Sequence, residues 1–276
     1  MTLRFVEVAD GVHVLREPLL DVNVTLVVGD GAALVVDTLS TAGQAAELAA
    51  AARAVTPHPW TVVNTHHHFD HCFGNATLAA DPPRPVYAHE VAAAALRERP
   101  DELRRAAYEE MRGERPGLAV ELAGTALLAP TNVVRGETVL DVGGRRVLLR
   151  HPGHGHTDAD LMVHVPDADV LVAGDLVEQG GPPAFEESYP LRWPDAVAEL
   201  LRLTTPGTVV VPGHGELVDP EFVRAQHGEL VELARLIRVG HAGGAPPERV
   251  AAEAPFGARA ALFAARRGYA ELDGTV

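Results

Sequence analysis

The segment Thr65-His66-His67-His68-Phe69-Asp70-His71 concentrates four imidazoles and one carboxylate in a short stretch. In extended backbone alternate side chains share a face, so His66, His68 and Asp70 are predicted to point one way. His71 joins them only if the chain turns after Asp70. Imidazole nitrogens and carboxylate oxygens at this density suit a zinc-like cation, whereas calcium and magnesium prefer shells of oxygen alone. Three later segments have the same character: His151-Pro152-Gly153-His154-Gly155-His156-Thr157-Asp158-Ala159-Asp160, Ala173-Gly174-Asp175, and Val211-Pro212-Gly213-His214-Gly215. Each follows a predicted strand, and strand ends with glycine-rich turns are where sheet proteins commonly build sites. By residue type alone, His154 and His156 are rivals for one ligand position.

Positioning these groups requires strands that end together. Residues 5–8, 12–16, 24–28 and 32–37 are short, valine-rich and separated by turn pairs such as Asp10-Gly11 and Asp30-Gly31, which predicts strands. Ser40 or Thr41 is placed to cap an alanine-rich helix running to about Val55. Residues 60–64 predict a strand ending at the histidine loop, 86–88 a further short strand, and 89–111 a helix. Residues 112–132 carry no clear period and read as a lid or a connection. The second half repeats the grammar, with strands over 137–142 and 145–150 flanking Gly143-Gly144, then strands over 161–165 and 170–173. A helix over 194–203 and a strand over 208–211 follow, with helices filling much of 220–239 and 247–267. Each half runs strands, helix, strand, which predicts two stacked sheets with helices outside. We read 1–276 as a single domain in which 219–276 forms a C-terminal helical extension.

Composition removes several chemistries. The chain has no lysine, which excludes Schiff-base formation, pyridoxal-phosphate anchoring and the P-loop lysine. Serine occurs only as Ser40 and Ser188, neither in a Gly-x-Ser-x-Gly elbow. The formal charge of −15, from 38 acidic against 23 basic residues, repels phosphate backbones and anionic membrane surfaces. A small-molecule substrate is therefore expected rather than a nucleic-acid or membrane partner. A single cysteine, Cys72, rules out an internal disulfide and suits a reducing compartment. No apolar run approaches the roughly 20 residues of a membrane span, and the N-terminal residues lack a signal peptide's apolar core, so a cytoplasmic location is expected.

The series His66-x-His68-x-Asp70-His71, His156, Asp175 and His214, opened by Asp37 at a strand end, resembles the five-motif signature of the metallo-β-lactamase superfamily. The resemblance covers roughly residues 12–215. It implies an α/β fold, an αββα four-layer sandwich with metals at one sheet edge. Carried over residue by residue, one metal takes His66, His68 and His156, the second takes Asp70, His71 and His214, and Asp175 bridges both. His156 is preferred to His154 because the family's histidine is followed by threonine and then a small or acidic residue, as in Thr157-Asp158-Ala159-Asp160. Asp37 and Asp160 would stand behind the ligands, Asp160 orienting a histidine. His67 should point away from the metals, His89 should sit beside a helix cap, and Cys72 should pack.

The cofactors so implied are two zinc ions, with iron or manganese as substitutes. The implied activity is a dinuclear-metal hydrolase that uses a metal-bridged hydroxide on an ester, lactone, thioester or amide, with Asp70 orienting the water and accepting its proton. Zinc β-lactamases generally carry cysteine or serine where this chain has Asp175, which argues against β-lactams. A glyoxalase II-type thioesterase would have to bind its substrate through Arg259, Arg266 and Arg267 in place of lysines. An iron persulfide dioxygenase with a mononuclear site is the alternative on this scaffold; a non-catalytic or nuclease relative fits the ligand set and the charge less well. Substrate choice should lie in residues 16–25, 97–132 and 178–193. Phe185, Tyr189 and Trp193 in the last of these predict an apolar, aromatic lining for a neutral substrate.

Overall fold

Valine is the commonest strand residue and alanine fills many helix positions, so backbone preference already separates the two element types. The computed structural model describes residues 3–80 and 82–276. Its first half contains β1 (Val6–Ala9), β2 (Val12–Glu17), β3 (Val22–Val28), β4 (Ala33–Val36), α1 (Ala42–Val55), β5 (Trp60–Val63), α2 (Phe69–Cys72), α3 (Asn75–Ala79) and β6 (Val86–His89). Then come α4 (Glu90–Glu98), α5 (Pro100–Met111), α6 (Pro116–Gly124) and β7 (Asn132–Val134). The second half contains β8 (Glu137–Val142), β9 (Arg145–Arg150), β10 (Met162–Val165), β11 (Val170–Glu178), α7 (Trp193–Leu201) and β12 (Val209–His214). Helices α8 (Pro220–Ala242), α9 (Pro247–Glu253) and α10 (Ala258–Asp273) close the described chain.

Two arms of sheet result. Strands β1 to β4 pair antiparallel in sequence order, and β4, β5, β6 and β7 continue in parallel. In the other arm β12 pairs parallel with β11, and β11, β10, β9 and β8 run antiparallel. A single bridge, His214 opposite Val22, joins the arms. Between them lies a valine-rich layer that includes Val12, Leu34, Val36, Leu149, Val163 and Val172. The intervening side chains face outward: Val35 and Val62 pack under α1 and α3, while Leu171 and Ala173 pack under α7, α8 and α10. Because both faces of β4 are covered, all four of its residues are buried, which reads in sequence as a continuous apolar run. This is the expected α/β sandwich. No helix among the described residues is long and apolar enough to cross a membrane.

Local chemistry explains where elements begin and break. Thr41 is the cap of α1: its hydroxyl accepts from the Gln44 N–H while the Gln44 side chain accepts from the Thr41 N–H, a reciprocal pair that satisfies two orphan donors. The predicted helix over 89–111 is two helices. Pro100 keeps Arg99 out of the helical region (φ −130°, ψ 39°), so α5 sets off in a new direction. The patternless 112–132 stretch contains α6 and then extended chain leading to β7.

Trp193 shows how the outer layer supports the site. It is wholly buried, donates its indole N–H to the Leu176 carbonyl at 3.1 Å, and meets the Phe185 ring edge-on at 5.2 Å. We expect Trp193→Ala to lower unfolding free energy by about 3–5 kcal/mol, measured by urea titration. A loss below about 1 kcal/mol would contradict this packing role.

Candidate metal centre

The histidine loop begins where β5 stops. Asn64 and Asn75 pair side chain to side chain at 2.8 and 2.9 Å in the interior, and the Leu161 N–H donates to the Thr65 carbonyl at 2.7 Å, so the loop is fastened to both arms. The chain turns earlier than the sequence suggests. His68 is still extended (φ −67°, ψ 150°) and caps α2, so the turn comes before Asp70, not after it. His66 and His68 therefore stand on the loop, while Asp70 and His71 stand on a helical turn, and the pairs face different partners.

Two donor clusters follow. In the first, one atom each from His66, His68, His156 and Asp175 lies within 4.8 Å of the others; His68 Nδ1 approaches His156 Nε2 to 2.8 Å. Asp70, His71 and His214 form the second within the same limit, with 3.4 Å between the two Nε2 atoms and 3.3 Å from His214 Nε2 to Asp70 Oδ2. Asp175 stands between them. Its Oδ2 lies 3.7 Å from His66 Nε2, 3.4 Å from His156 Nε2 and 3.4 Å from His214 Nε2, and its Oδ1 lies 3.2 Å from His71 Nε2.

The carboxylate is aimed by the backbone on either side. Gly174, at φ +56°, sits at a register shift in β11, a bulge of the kind that re-aims a side chain. A Cβ on Gly213 would lie 1.7 Å from Asp175 Oδ1, so only glycine leaves room for the carboxylate.

The remaining ring nitrogens are occupied from outside. His71 Nδ1 donates to Asp37 Oδ2 at 2.8 Å, His214 Nδ1 to the Leu20 carbonyl at 2.9 Å and His156 Nδ1 to the Ala184 carbonyl at 3.2 Å. His66 Nδ1 meets the Thr65 hydroxyl at 3.0 Å, and His68 Nε2 lies 3.4 Å from Glu187 Oε2. These contacts fix each ring so that its other nitrogen points inward, as metal-binding histidines are normally held. His66 Nε2 and Asp175 Oδ1 are buried with no hydrogen-bond partner, a cost of about 1–3 kcal/mol apiece. Converging imidazole nitrogens with carboxylates between them fit zinc-class cations.

Charge is distributed unevenly over the site. Burial pushes the His156 pKa down to about 3 and the His66 pKa well below the usual range. Burial also opposes charge on His71 and His214, but Asp175 and Asp70 outweigh it, with Asp37 adding to His71, and raise both. Those two imidazoliums in turn hold Asp70 at about 2 and Asp175 low despite their burial.

The other candidate residues lie as follows. Asp37 stands behind His71 and also accepts from the Thr65 N–H and hydroxyl, at 2.7 and 2.8 Å. Asp160 touches no ligand histidine. Its short side chain turns back into its own loop and accepts from the Thr157 N–H and hydroxyl, which shapes the turn presenting His156. His154 is away from both clusters, beside Arg192 and Tyr189. His67 faces Glu187 at 3.8 Å, His89 stacks on His151 at 4.1 Å, and Cys72 is buried with its thiol on the His67 carbonyl.

Phe185 and Trp193 do not line the substrate side. Neither borders the cavity over the donor clusters, because both fill the core beneath α7 and the His156 loop. Tyr189 opens on a neighbouring cavity with Arg99 and Arg267. The cavity of about 420 Å³ over the donor clusters is walled instead by Phe69, Phe73 and the Leu103, Ala107, Glu110 and Met111 face of α5. The face lies inside the 97–132 segment to which the sequence assigns substrate choice, but the sequence does not single out these residues. The signal for them was their helical spacing.

Comparison with known proteins places this geometry. Residues 18–214 match the family described as "Metallo-beta-lactamase superfamily". Among curated proteins, "Metallo-beta-lactamase type 2" of Bacillus cereus is 28% identical over 161 residues, covering 57% of this chain and 52% of that protein. "Hydroxyacylglutathione hydrolase" of Synechococcus sp. (strain JA-3-3Ab) is 30% identical over 142 residues, covering 51% and 44%. The chain thus spans about half the length of the curated relatives it matches. The solved metallo-β-lactamase from Pontibacter korlensis superposes with a TM-score of 0.68 at 20% identity, covering 83% of this chain and 99% of that one.

Two outcomes are expected from the geometry. Because His71 and His214 are raised toward the protonated form and a cation must displace the proton shared between their facing nitrogens, loading the Asp70–His71–His214 cluster of chelator-stripped protein should release at least one proton at pH 7. Its affinity should therefore rise with pH, and titration calorimetry in buffers of different ionisation heat reads both; a loading with no proton release would contradict the charge distribution. Gly213→Ala should leave the fold intact by circular dichroism yet bind zinc at least about tenfold more weakly, as a displaced ligand predicts.

Proposed function

The chain belongs to the metallo-β-lactamase superfamily, and from that premise we propose that it is a hydrolase holding two zinc ions and cleaving a small-molecule ester, lactone, thioester or amide. The observation that carries this reading is the Asp175 carboxylate between two sets of inward-facing donors. His66, His68 and His156 would hold one cation, and Asp70, His71 and His214 the other, with Asp175 shared. When bound, two such cations supply Lewis acidity that lowers the pKa of a water and polarises a carbonyl.

The chain's own residues do the rest. Asp70 lines the cavity and is ionised through the neutral range, so it can orient an incoming water and accept its proton. Asp37 and Thr65 hold the His71 ring and the loop in register. Phe69, Phe73 and α5 exclude bulk water from one side of the clusters, which strengthens every charge interaction inside. No serine or cysteine is called on: Cys72 is buried with its pKa pushed up by burial, and a reducing compartment such as the cytoplasm suits it. β-Lactams lie outside the proposal because Asp175 replaces the cysteine or serine general among zinc β-lactamases.

Metal analysis of the purified protein should give about two zinc ions per chain. Asp175→Asn, nearly isosteric but one charge poorer, should lower second-site occupancy and hydrolysis by more than the 10–100-fold typical of an outer partner. One iron per chain with oxygen uptake on a persulfide would overturn the reading, as would full zinc occupancy and turnover in Asp175→Asn.

A further inference from the structure

The cavity over the donor clusters has two kinds of wall. One is apolar: Leu103, Ala107 and Met111 of α5 pack with Phe69 and Phe73 into one cluster that borders it. The other is acidic: Glu110, Glu178, Glu186 and Glu187 line it. The chain has no lysine, no arginine borders this cavity among the described residues, and the one lining histidine outside the two donor clusters, His67, has its pKa held down at about 4 by burial. Arg99 and Arg267 line a separate cavity, behind a shared wall made by His67, Leu103, Ala106 and Glu187. An anion reaching away from the clusters along α5 would leave water for an apolar wall and face carboxylates, both unfavourable. A methylene chain on the same path would bury its surface at about 25 cal/mol per Å².

From this, and resting on the hydrolase reading above, we infer that α5 forms an acyl pocket selecting carbonyl substrates with an uncharged apolar acyl chain, and rejecting those whose acyl chain carries a carboxylate or phosphate. The pocket acts by pairing nothing: it admits methylenes and offers an anion only like charge. Glu110 is the discriminating residue because it stands on α5 beside Ala107 and Met111, where the apolar wall meets the acidic, exposed rim. It touches neither donor cluster.

A matched pair of metal-binding probes tests the pocket without requiring turnover. Hexanohydroxamic acid and the monohydroxamate of adipic acid share a six-carbon chain and a metal-seeking head, and differ in a terminal methyl against a carboxylate. In calorimetry on the zinc-loaded protein at pH 8, hexanohydroxamic acid should bind at least about tenfold more tightly. At that pH Glu110, pushed up to about 7 by burial and by Asp70, carries its charge. Glu110→Gln should shrink the ratio by about threefold or more, which a purely structural role would not do selectively. Equal affinities, or tighter binding of the adipate probe, would overturn the inference in the wild-type protein alone, whatever the variant does.

The matching esters separate the two readings. 4-Nitrophenyl hexanoate should exceed the mono-4-nitrophenyl ester of adipic acid in kcat/KM by a similar factor. Cleavage of none of these esters, the matching hexanoyl thioester and amide, or a six-carbon lactone, with the hydroxamate ratio intact, would refute the hydrolase reading and uphold the pocket. Cleavage of both esters at equal rate would refute the pocket and uphold the hydrolase.

Discussion

A buried carboxylate cannot face four imidazole edges by accident, because desolvating it costs several kcal/mol unless positive charge is returned. Asp175, 5% exposed, is that carboxylate, and much of the surrounding architecture serves it. The bulge at Gly174 re-aims it, the missing Cβ of Gly213 makes room for it, and the loop of His66 and His68 is fastened to both sheet arms beside it. The histidines around it are sorted by charge. In the first cluster His66 and His156 are pushed toward the neutral form by burial, while His68 is raised against its burial by Glu187; His71 and His214 of the second are raised by Asp175 and Asp70. Compensation by proton is a substitute for compensation by metal, since the same carboxylates attract either.

Rigidity comes from a shell of hydrogen bonds behind the donors. Asp37 is buried and would prefer to be neutral, yet His71, the Thr65 N–H and the Thr65 hydroxyl converge on it. The result couples the end of β4 to the loop after β5 and to the first turn of α2. Carbonyls from Leu20 and Ala184 hold His214 and His156 in the same way. Three of these supports come from separate strand-end loops, so the ring orientations depend on the two arms keeping their relative position. The valine layer between the arms supplies that constraint. Phe185 and Trp193, buried under the His156 loop, extend it to the outer layer.

How much of this was legible depended on what kind of signal carried it. The valine runs, turn pairs and alanine-rich helix were read directly, because backbone preference and burial on two faces act within a few residues. His66, His68, Asp70, His71, His156, Asp175 and His214 were readable as candidates because metal-suited side chains at strand ends are rare. Pro100 was visible in the chain, yet the period across 89–111 masked the break that it enforces at Arg99. Asp160 was misassigned because an aspartate three residues after a threonine serves its own turn as readily as a distant ring.

The sequence by itself determined the element types, the donor atoms and the lack of any lysine or serine machinery. These are properties of residue identity and short-range sterics. Tertiary structure alone decided which donors stand together, because His156 comes from the loop after β9 and Asp175 and His214 from β11 and β12. It also decided which side of a loop is core and which is cavity. Phe185 and Trp193 had the composition of a substrate lining, but the volume beneath α7 took them inward, and the cavity wall was left to α5. Apolar residues carry no label for the surface they will cover; burial assigns it only when the layers close.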